Sequence, residues 1–213
     1  MRRLPVYVLI DTSGSMYGEP IQAVDTGFKV LISALKREPQ AMEIVYLSLI
    51  TFDNQVKQVF PLTEVSSIQN VTFTANGGTS LGGALEQVTN SAQKEVVKNT
   101  PNAKGDYKPL VFIFSDGAAT DNVEEKMPTF TSYNWGMVVA CAAGSNADTR
   151  TLEKIAGPNV LVLDTIDSAT ITSYFKYLSA SIVTTSKKVD LEKAKMELDG
   201  LPPLPPEITL LKH

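Results

Sequence analysis

Residues 8–20 read VLIDTSGSMYGEP. From Val6 to Ile10, four aliphatic side chains and Tyr7 run without a polar break into Asp11, and Thr12-Ser13-Gly14-Ser15 follows at once. A run that apolar marks a strand buried on both faces, the habit of a parallel sheet. Its end in oxygen-bearing side chains, with no lysine, arginine or histidine close by in sequence, poses the question of what balances Asp11.

Outward from this stretch, strands and helices alternate, the pattern of a doubly wound α/β fold. Residues 5–10 form the first strand. Residues 19–37 form the first helix, with Pro20 in its first turn and one apolar stripe of Ile21, Val24, Phe28, Leu31, Ile32 and Leu35. Pro39 is expected to end it. EIVYLSLITF (43–52) is a long strand, and Asp53-Asn54 turns it into QVKQVF (55–60), a hairpin that sets one antiparallel edge strand on a parallel sheet. After Asn76-Gly77-Gly78-Thr79 a helix is predicted over 80–98, on a stripe of Leu81, Ala84, Leu85, Val88, Ala92 and Val96. Residues 99–108 read as a surface loop.

PLVFIF (109–114) is a further central strand and it too stops at a carboxylate, in Ser115-Asp116-Gly117. Asp121 with Glu124 reads as a capping box for a short helix, whose extent Pro128 leaves open. Strands over 136–143 and 159–163 and helices over 148–156 and 168–183 complete a Rossmann-like, mainly parallel, six-stranded sheet with helices on both faces. The expected domain spans 1–185. Beyond it, SKKVDLEKAKMELDG (186–200) reads as a charged helix with pairs such as Lys188–Glu192 and Lys193–Glu197. LPPLPPEITLLKH (201–213) is a Pro-rich tail, read either as a strap along its own domain or as a docking peptide for a proline-reading domain.

Composition removes several classes of function. The chain has 213 residues, enough for one α/β domain with a short appendage and a core that needs no cross-links. Its 19 basic and 23 acidic residues give a net charge of −4 without basic runs, so neither nucleic acid nor an anionic membrane is an expected partner. One cysteine, Cys141, forbids an intrachain disulfide and is expected to be an inert buried thiol. One histidine, His213 at the very end, leaves Ser-His-Asp and Cys-His catalysis without a base and excludes a two-histidine zinc site. Arg2-Arg3 precedes an apolar run much shorter than that of a signal peptide, and no segment approaches the ~20 apolar residues of a membrane span. A soluble, cytoplasmic monomer is the expectation.

In an open α/β sheet, ligands sit beyond the carboxyl ends of the strands, where strand order reverses. Asp11 and Asp116 both lie at that end, and two such carboxylates repel unless something positive lies between them. A bound cation is the economical solution. Asp11, Ser13 and Ser15 alternate within a five-residue turn, so their side chains can converge on one ion. Thr79 follows two glycines that permit close backbone approach. Hard oxygen donors without imidazole or thiolate favour Mg²⁺, with Mn²⁺ as substitute. Taken singly, Asp11 and Ser13 also suit a cap of the first helix, and Asp116-Gly117 suits an ordinary turn. Three such coincidences on one face of the sheet favour ligation.

The series Asp-x-Ser-x-Ser at 11–15, the threonine of GGTSLGGAL at 79 and the aspartate of FIFSDG at 116 together resemble the von Willebrand factor A domain, over about residues 4–184. The resemblance implies a metal-ion-dependent adhesion site formed by Asp11, Ser13, Ser15, Thr79 and Asp116, in a protein–protein interaction module. The loops bearing Tyr17, Asn76, Ser80 and Ala118 flank these ligands and form the expected partner-binding rim. More narrowly, MRRLPVYVLIDTSGSMYGEPI (1–21) is similar to short bacterial A-domain proteins of tellurium-resistance clusters, the TerY-like proteins. That similarity implies a stress response with kinase and phosphatase partners. Some of those proteins add a zinc-binding domain, for which this chain lacks the cysteines.

Three functions compete. A binding module needs only the ion and an acidic side chain donated by a partner. A metal that serves purely as an internal staple is the second. The third is a Mg²⁺-dependent phosphohydrolase of the haloacid-dehalogenase type using Asp11, which would need a second aspartate where Ser13 stands and a cation to stabilise the transferring phosphate. No phosphate-cradling GxxxxGK[ST] loop or GxSxG elbow is present. No catalytic activity is expected.

Overall fold

All eight residues of β1 (Leu4–Asp11) are buried, and the reason is its place in the sheet. The computed structural model describes residues 2–188 and 200–211. Strands β2 (Val45–Phe52) and β4 (Leu110–Ser115) flank β1, both parallel to it, with Ile10 paired to Thr51 on one side and Phe114 on the other. With β3 (Val56–Glu64), β5 (Met137–Ala143), β6 (Val160–Leu163) and β7 (Ile208–Leu210), the sheet order is β3-β2-β1-β4-β5-β6-β7. The chain steps from β1 outward to β2 and β3, then returns across β1 to β4. The order therefore reverses between β1 and β4, and a crevice opens beyond their carboxyl ends.

Period-two alternation divides the strand side chains between two cores. Val6, Val8 and Ile10 join Leu110, Phe112 and Phe114 in the layer beneath α1 (Glu19–Arg37), α2 (Pro39–Ile44) and α6 (Ser168–Lys188). Tyr7 and Leu9 join Val111 and Ile113 beneath α3 (Leu81–Glu95), α4 (Val123–Ser132) and α5 (Thr149–Ala156). Each fully buried Val, Leu or Ile contributes roughly 1.5–3 kcal/mol, so β1 is anchored on both sides. A one-residue slip would draw Asp11 into apolar surroundings, which fixes the register that delivers its carboxylate to the strand end.

The predicted stripe of α1 is buried at all six positions, and its bounds are those expected. Elsewhere the boundaries moved. Pro39 does not simply stop α1: it occupies the first turn of α2, where its missing N–H would be unpaired anyway, and β2 begins only at Val45. Helix α3 ends at Glu95 and α6 extends to Lys188. Pro128 lies inside α4. The capping box expected of Asp121 and Glu124 is not formed: Asn122 caps α4 by accepting from the Glu125 N–H. Cys141 is fully buried in β5, and burial pushes its thiol pKa up.

The six expected strands gain a seventh. In β7, Ile208 and Leu210 pair antiparallel with Leu163 and Leu161 of the short strand β6, and the Leu211 N–H donates to the Val160 carbonyl at 2.9 Å. Ile208 is buried, and Leu201 and Leu204 pack against the α1/α6 core. The Pro-rich stretch is thus a strap that closes an otherwise open sheet edge. The charged helix expected over 186–200 falls mostly outside the described residues, as do both of its expected ion pairs. Among the described residues no helix is long and apolar enough to cross a membrane.

Candidate metal centre

At the end of β1 the chain peels away from its neighbours. The Thr12 N–H still pairs with the Phe52 carbonyl at 2.9 Å, and the backbone then curls through a one-turn 3-10 helix, Gly14–Met16. Met16 is fully buried and pins the turn, while Tyr17 is 81% exposed. Asp11 directs its carboxylate into this curl. Its Oδ1 accepts the Ser13 N–H at 2.8 Å, an Asx turn, and its Oδ2 accepts the Ser115 hydroxyl at 2.6 Å. Neither Asp11 nor Ser13 caps α1, whose N-cap is Gly18.

The second carboxylate joins through hydroxyls. Ser15 Oγ donates to Asp116 Oδ1 at 2.8 Å and lies 3.0 Å from Ser13 Oγ. Thr79 Oγ1 faces the same spot: a Cβ placed on Gly117 would lie 3.8 Å from it and 4.0 Å from Ser15 Oγ. Glycine at 117 thus leaves room beside converging hydroxyls. All five residues expected to ligate a metal are brought together, from three separate segments of chain. Asp11, Ser13, Thr79 and Asp116 are buried and Ser15 is exposed, so the group opens to solvent on one side.

Among the described residues, no basic side chain raises or lowers either carboxyl pKa. Burial pushes the Asp11 carboxyl pKa up, the hydrogen bonds from Ser115 and Ser13 pull it back, and the charge of Asp116 pushes it up further. Burial likewise raises Asp116, against the bond from Ser15. No lysine or arginine hydrogen-bonds or ion-pairs with either carboxylate among the described residues. Nor does any group of three or more His, Cys, Asp or Glu side chains gather at one point among those residues. A cation here would therefore meet two carboxylates and neutral hydroxyls, a hard-oxygen set that fits a divalent ion.

The residues expected to form the rim differ in exposure. Tyr17, Asn76 and Ala118 are exposed and Ser80 is half-buried. Several participants escaped the sequence reading. Ser115 read only as the residue after a strand, yet it closes β4 and its hydroxyl holds Asp11. Asp53 and Asn54 read only as a turn, yet the Asp53 carbonyl accepts the Ser80 N–H at 2.8 Å and Asn54 Oδ1 accepts the Gly78 N–H at 2.7 Å. Asp121 accepts the Gly82 and Gly83 N–H groups at 3.0 and 2.8 Å, capping α3 across a different loop. The one local signal for this last contact was a carboxylate five residues beyond a candidate ligand.

The sequence matches the von Willebrand factor type A domain model over residues 6–176. The chain belongs to the von Willebrand factor type A family. No curated protein matches it. Among solved structures, this A domain is similar to proximal thread matrix protein 1 from the mussel byssus, crystal form 2, with 19% identity, a TM-score of 0.63, and coverage of 85% of this chain and 48% of that one. A von Willebrand factor type A protein from Catenulispora acidiphila matches with 19% identity and a TM-score of 0.62, over 86% of this chain and 43% of its own. A third structure, the mussel protein with a zinc-occupied MIDAS motif, matches with 19% identity and a TM-score of 0.61, over 85% and 48%. The A domain thus spans less than half the length of these proteins, and at such identities the likeness is one of fold.

Proposed function

We propose that Asp11, Ser13, Ser15, Thr79 and Asp116 hold a divalent cation through which the domain binds an acidic side chain of a partner protein. One observation carries this reading: two buried carboxylates and three hydroxyls converge on a solvent-open crevice with, among the described residues, no cationic side chain paired to balance them. The bound cation would supply a positive, exchangeable coordination position for the partner's carboxylate. Asp11 and Asp116 provide the charge that retains it, and the hydroxyls fill the remaining contacts without cancelling its field. Ser115 and the Ser13 N–H keep Asp11 aimed, and the exposed Tyr17 offers aromatic contact area beside the site.

Mg²⁺ is the proposed ion, with Mn²⁺ as substitute, because every donor is oxygen. The mussel protein with zinc at its MIDAS motif makes Zn²⁺ the informative competitor. Titration of the protein with each of the three ions, followed by calorimetry and thermal melting, ranks them. Equal metal-induced shifts in wild type, Asp11→Ala and Asp116→Ala would sink the proposal. Affinity capture with wild type and Asp11→Ala, with and without chelator, tests the partner. Binding by a purified partner that survives both changes would leave the metal as an internal staple.

The module is proposed to be non-enzymatic, cytoplasmic and monomeric. Ser13 stands where a dehalogenase-type phosphatase needs its second aspartate. Metal-dependent turnover of a generic phosphate monoester, lost in Asp11→Asn, would refute this. A setting in bacterial tellurium resistance, with kinase and phosphatase partners, rests on the similarity of residues 1–21 alone. Co-purification of such enzymes with wild type but not Asp11→Ala would be the supporting result.

A further inference from the structure

We infer that Asn54 and Thr120, neither of them a metal ligand, are positioning residues that hold the Thr79 hydroxyl in place before the ion arrives. The inference rests on the metal-binding reading of Thr79 proposed above. Thr79 follows Gly77-Gly78, the segment with the most backbone freedom in the site, and Gly77 adopts φ +68°, a conformation few other residues tolerate. Such a segment has no single geometry of its own, yet the Thr79 hydroxyl must meet ligands that come from two other loops.

The structure answers with a brace made of polar side chains. Asn54, at the β2–β3 turn, lies flat over Gly77: a Cβ there would fall 2.3 Å from its Nδ2 and 2.5 Å from its Cγ. Asn54 Oδ1 accepts the Gly78 N–H at 2.7 Å. Thr120 closes on Gly78 beside Asn54, since a Cβ there would lie 2.8 Å from Thr120 Oγ1 and 3.0 Å from Asn54 Oδ1. The Thr79 N–H donates to Thr120 Oγ1 at 2.9 Å, and the Thr120 N–H donates to the Thr79 carbonyl at 2.9 Å.

Both backbone polar groups of Thr79 are thereby tied to one residue. Only χ1 is left to aim its hydroxyl, and a β-branched side chain is stiff at χ1. The same loop is tied to the first ligand turn, where the Gly14 N–H donates to the Gly77 carbonyl and the Asn76 N–H to the Thr12 carbonyl, each at 2.9 Å. Thr120 itself sits four residues beyond Asp116, so the ring between residues 79 and 120 couples the second and third ligand segments. Thr120 and Asn54 are both exposed and outside either core, so they can be changed without opening a cavity.

The test uses the full chain and Mn²⁺ and Mg²⁺ as probes, with four proteins: wild type, Asn54→Ala, Thr120→Val and Thr120→Ser. Loss of a group that holds a metal ligand in place typically weakens metal binding about 10–100-fold, and that loss is expected of Thr120→Val and, at the lower end, of Asn54→Ala. Thr120→Ser keeps the accepting oxygen, so the Thr79 N–H stays held, and should restore affinity to within about threefold of wild type. Amide exchange in chelator supplies a readout independent of the ion. The Gly78 N–H should lose protection in Asn54→Ala and the Thr79 N–H in Thr120→Val, while the amides in the middle of α3 stay protected. Wild-type metal binding with undiminished affinity in Asn54→Ala and Thr120→Val overturns this inference alone. Equal weakening in Thr120→Ser and Thr120→Val overturns it as well, because the hydroxyl would then not be the brace. If wild type binds neither ion, and Zn²⁺ fails as well, the metal-binding reading itself falls, and the positioning role with it.

Discussion

Replacing Asp116 by asparagine keeps the shape of the side chain, and an oxygen for the Ser15 hydroxyl to bond, while deleting one of the two charges that would hold the ion. Ligand at 100 times its dissociation constant stabilises the native state by about 2.7 kcal/mol. For a chain of this length, at about 2–4 °C per kcal/mol, that becomes a rise in Tm of roughly 5–11 °C for wild type. Asp116→Asn should show almost none of it at the same metal concentration. In chelator the order should reverse. Both carboxyls have folded pKa values raised above the ordinary 3.8, chiefly by burial, so at pH 7 their ionised forms penalise the folded state. That penalty is absent below the unfolded pKa and grows as pH climbs through the folded values. Removing Asp116 deletes its own share and also relieves Asp11, whose pKa the Asp116 charge helps to raise. Metal-free Asp116→Asn should therefore melt above metal-free wild type at pH 7, with the gap closing below about pH 4, near the pKa of an unperturbed aspartate. Differential scanning fluorimetry across pH, with EDTA or Mg²⁺, reads all four quantities. A metal-induced rise in Asp116→Asn equal to that of wild type would refute the reasoning, as would a lower metal-free Tm at pH 7.

Thr79→Ala removes a neutral donor and leaves both carboxylates, so it should weaken binding of the ion and of an acidic partner while changing the metal-free urea midpoint little. Ser80→Glu, on the half-buried rim position, should repel an incoming carboxylate; unchanged affinity of a purified partner would count against coordination as the recognition chemistry. Ser115→Ala deletes the 2.6 Å bond to a buried carboxylate and should cost about 1.5–3 kcal/mol in chelator, by urea titration. Ile208→Ala empties a buried position of the edge strap and should lower stability by roughly 2–4 kcal/mol, with metal affinity unchanged. A loss of metal affinity in that variant would show that the strap communicates with the strand-end crevice.

Much of this molecule follows from short-range pattern alone. The both-sided burial of β1, the stripe of α1 and the arrest of two apolar strands at Asp11 and Asp116 are local facts, because alternation and helical period are read within a dozen residues. The candidate ligands were legible for the same reason: each is the polar residue at a strand or loop end, and a buried carboxylate without a neighbouring cation is visible in the sequence itself.

What needed the fold was every role assigned by a distant partner. Pro39 looks the same whether it stops one helix or begins another, and the second outcome depends on the packing of Ala41 and Ile44 into the α1/α6 core. Asp121 and Glu124 have the local spacing of a capping box, but the Asp121 carboxylate meets the Gly82 and Gly83 amides, nearly forty residues earlier in the chain. β7 is three residues after a Pro-rich run, too short for any period to show, and it is a strand because β6 leaves an unpaired edge there. Ser115, Asn54 and Thr120 carry no signal of their own, since a hydroxyl or an amide becomes a brace only when chain topology sets an acceptor or an N–H within 3 Å of it. Local periodicity depends on neighbours in sequence, and hydrogen-bond partnership depends on neighbours in space; the oxygen cluster announced itself through the first, and the groups that hold it in place exist only through the second.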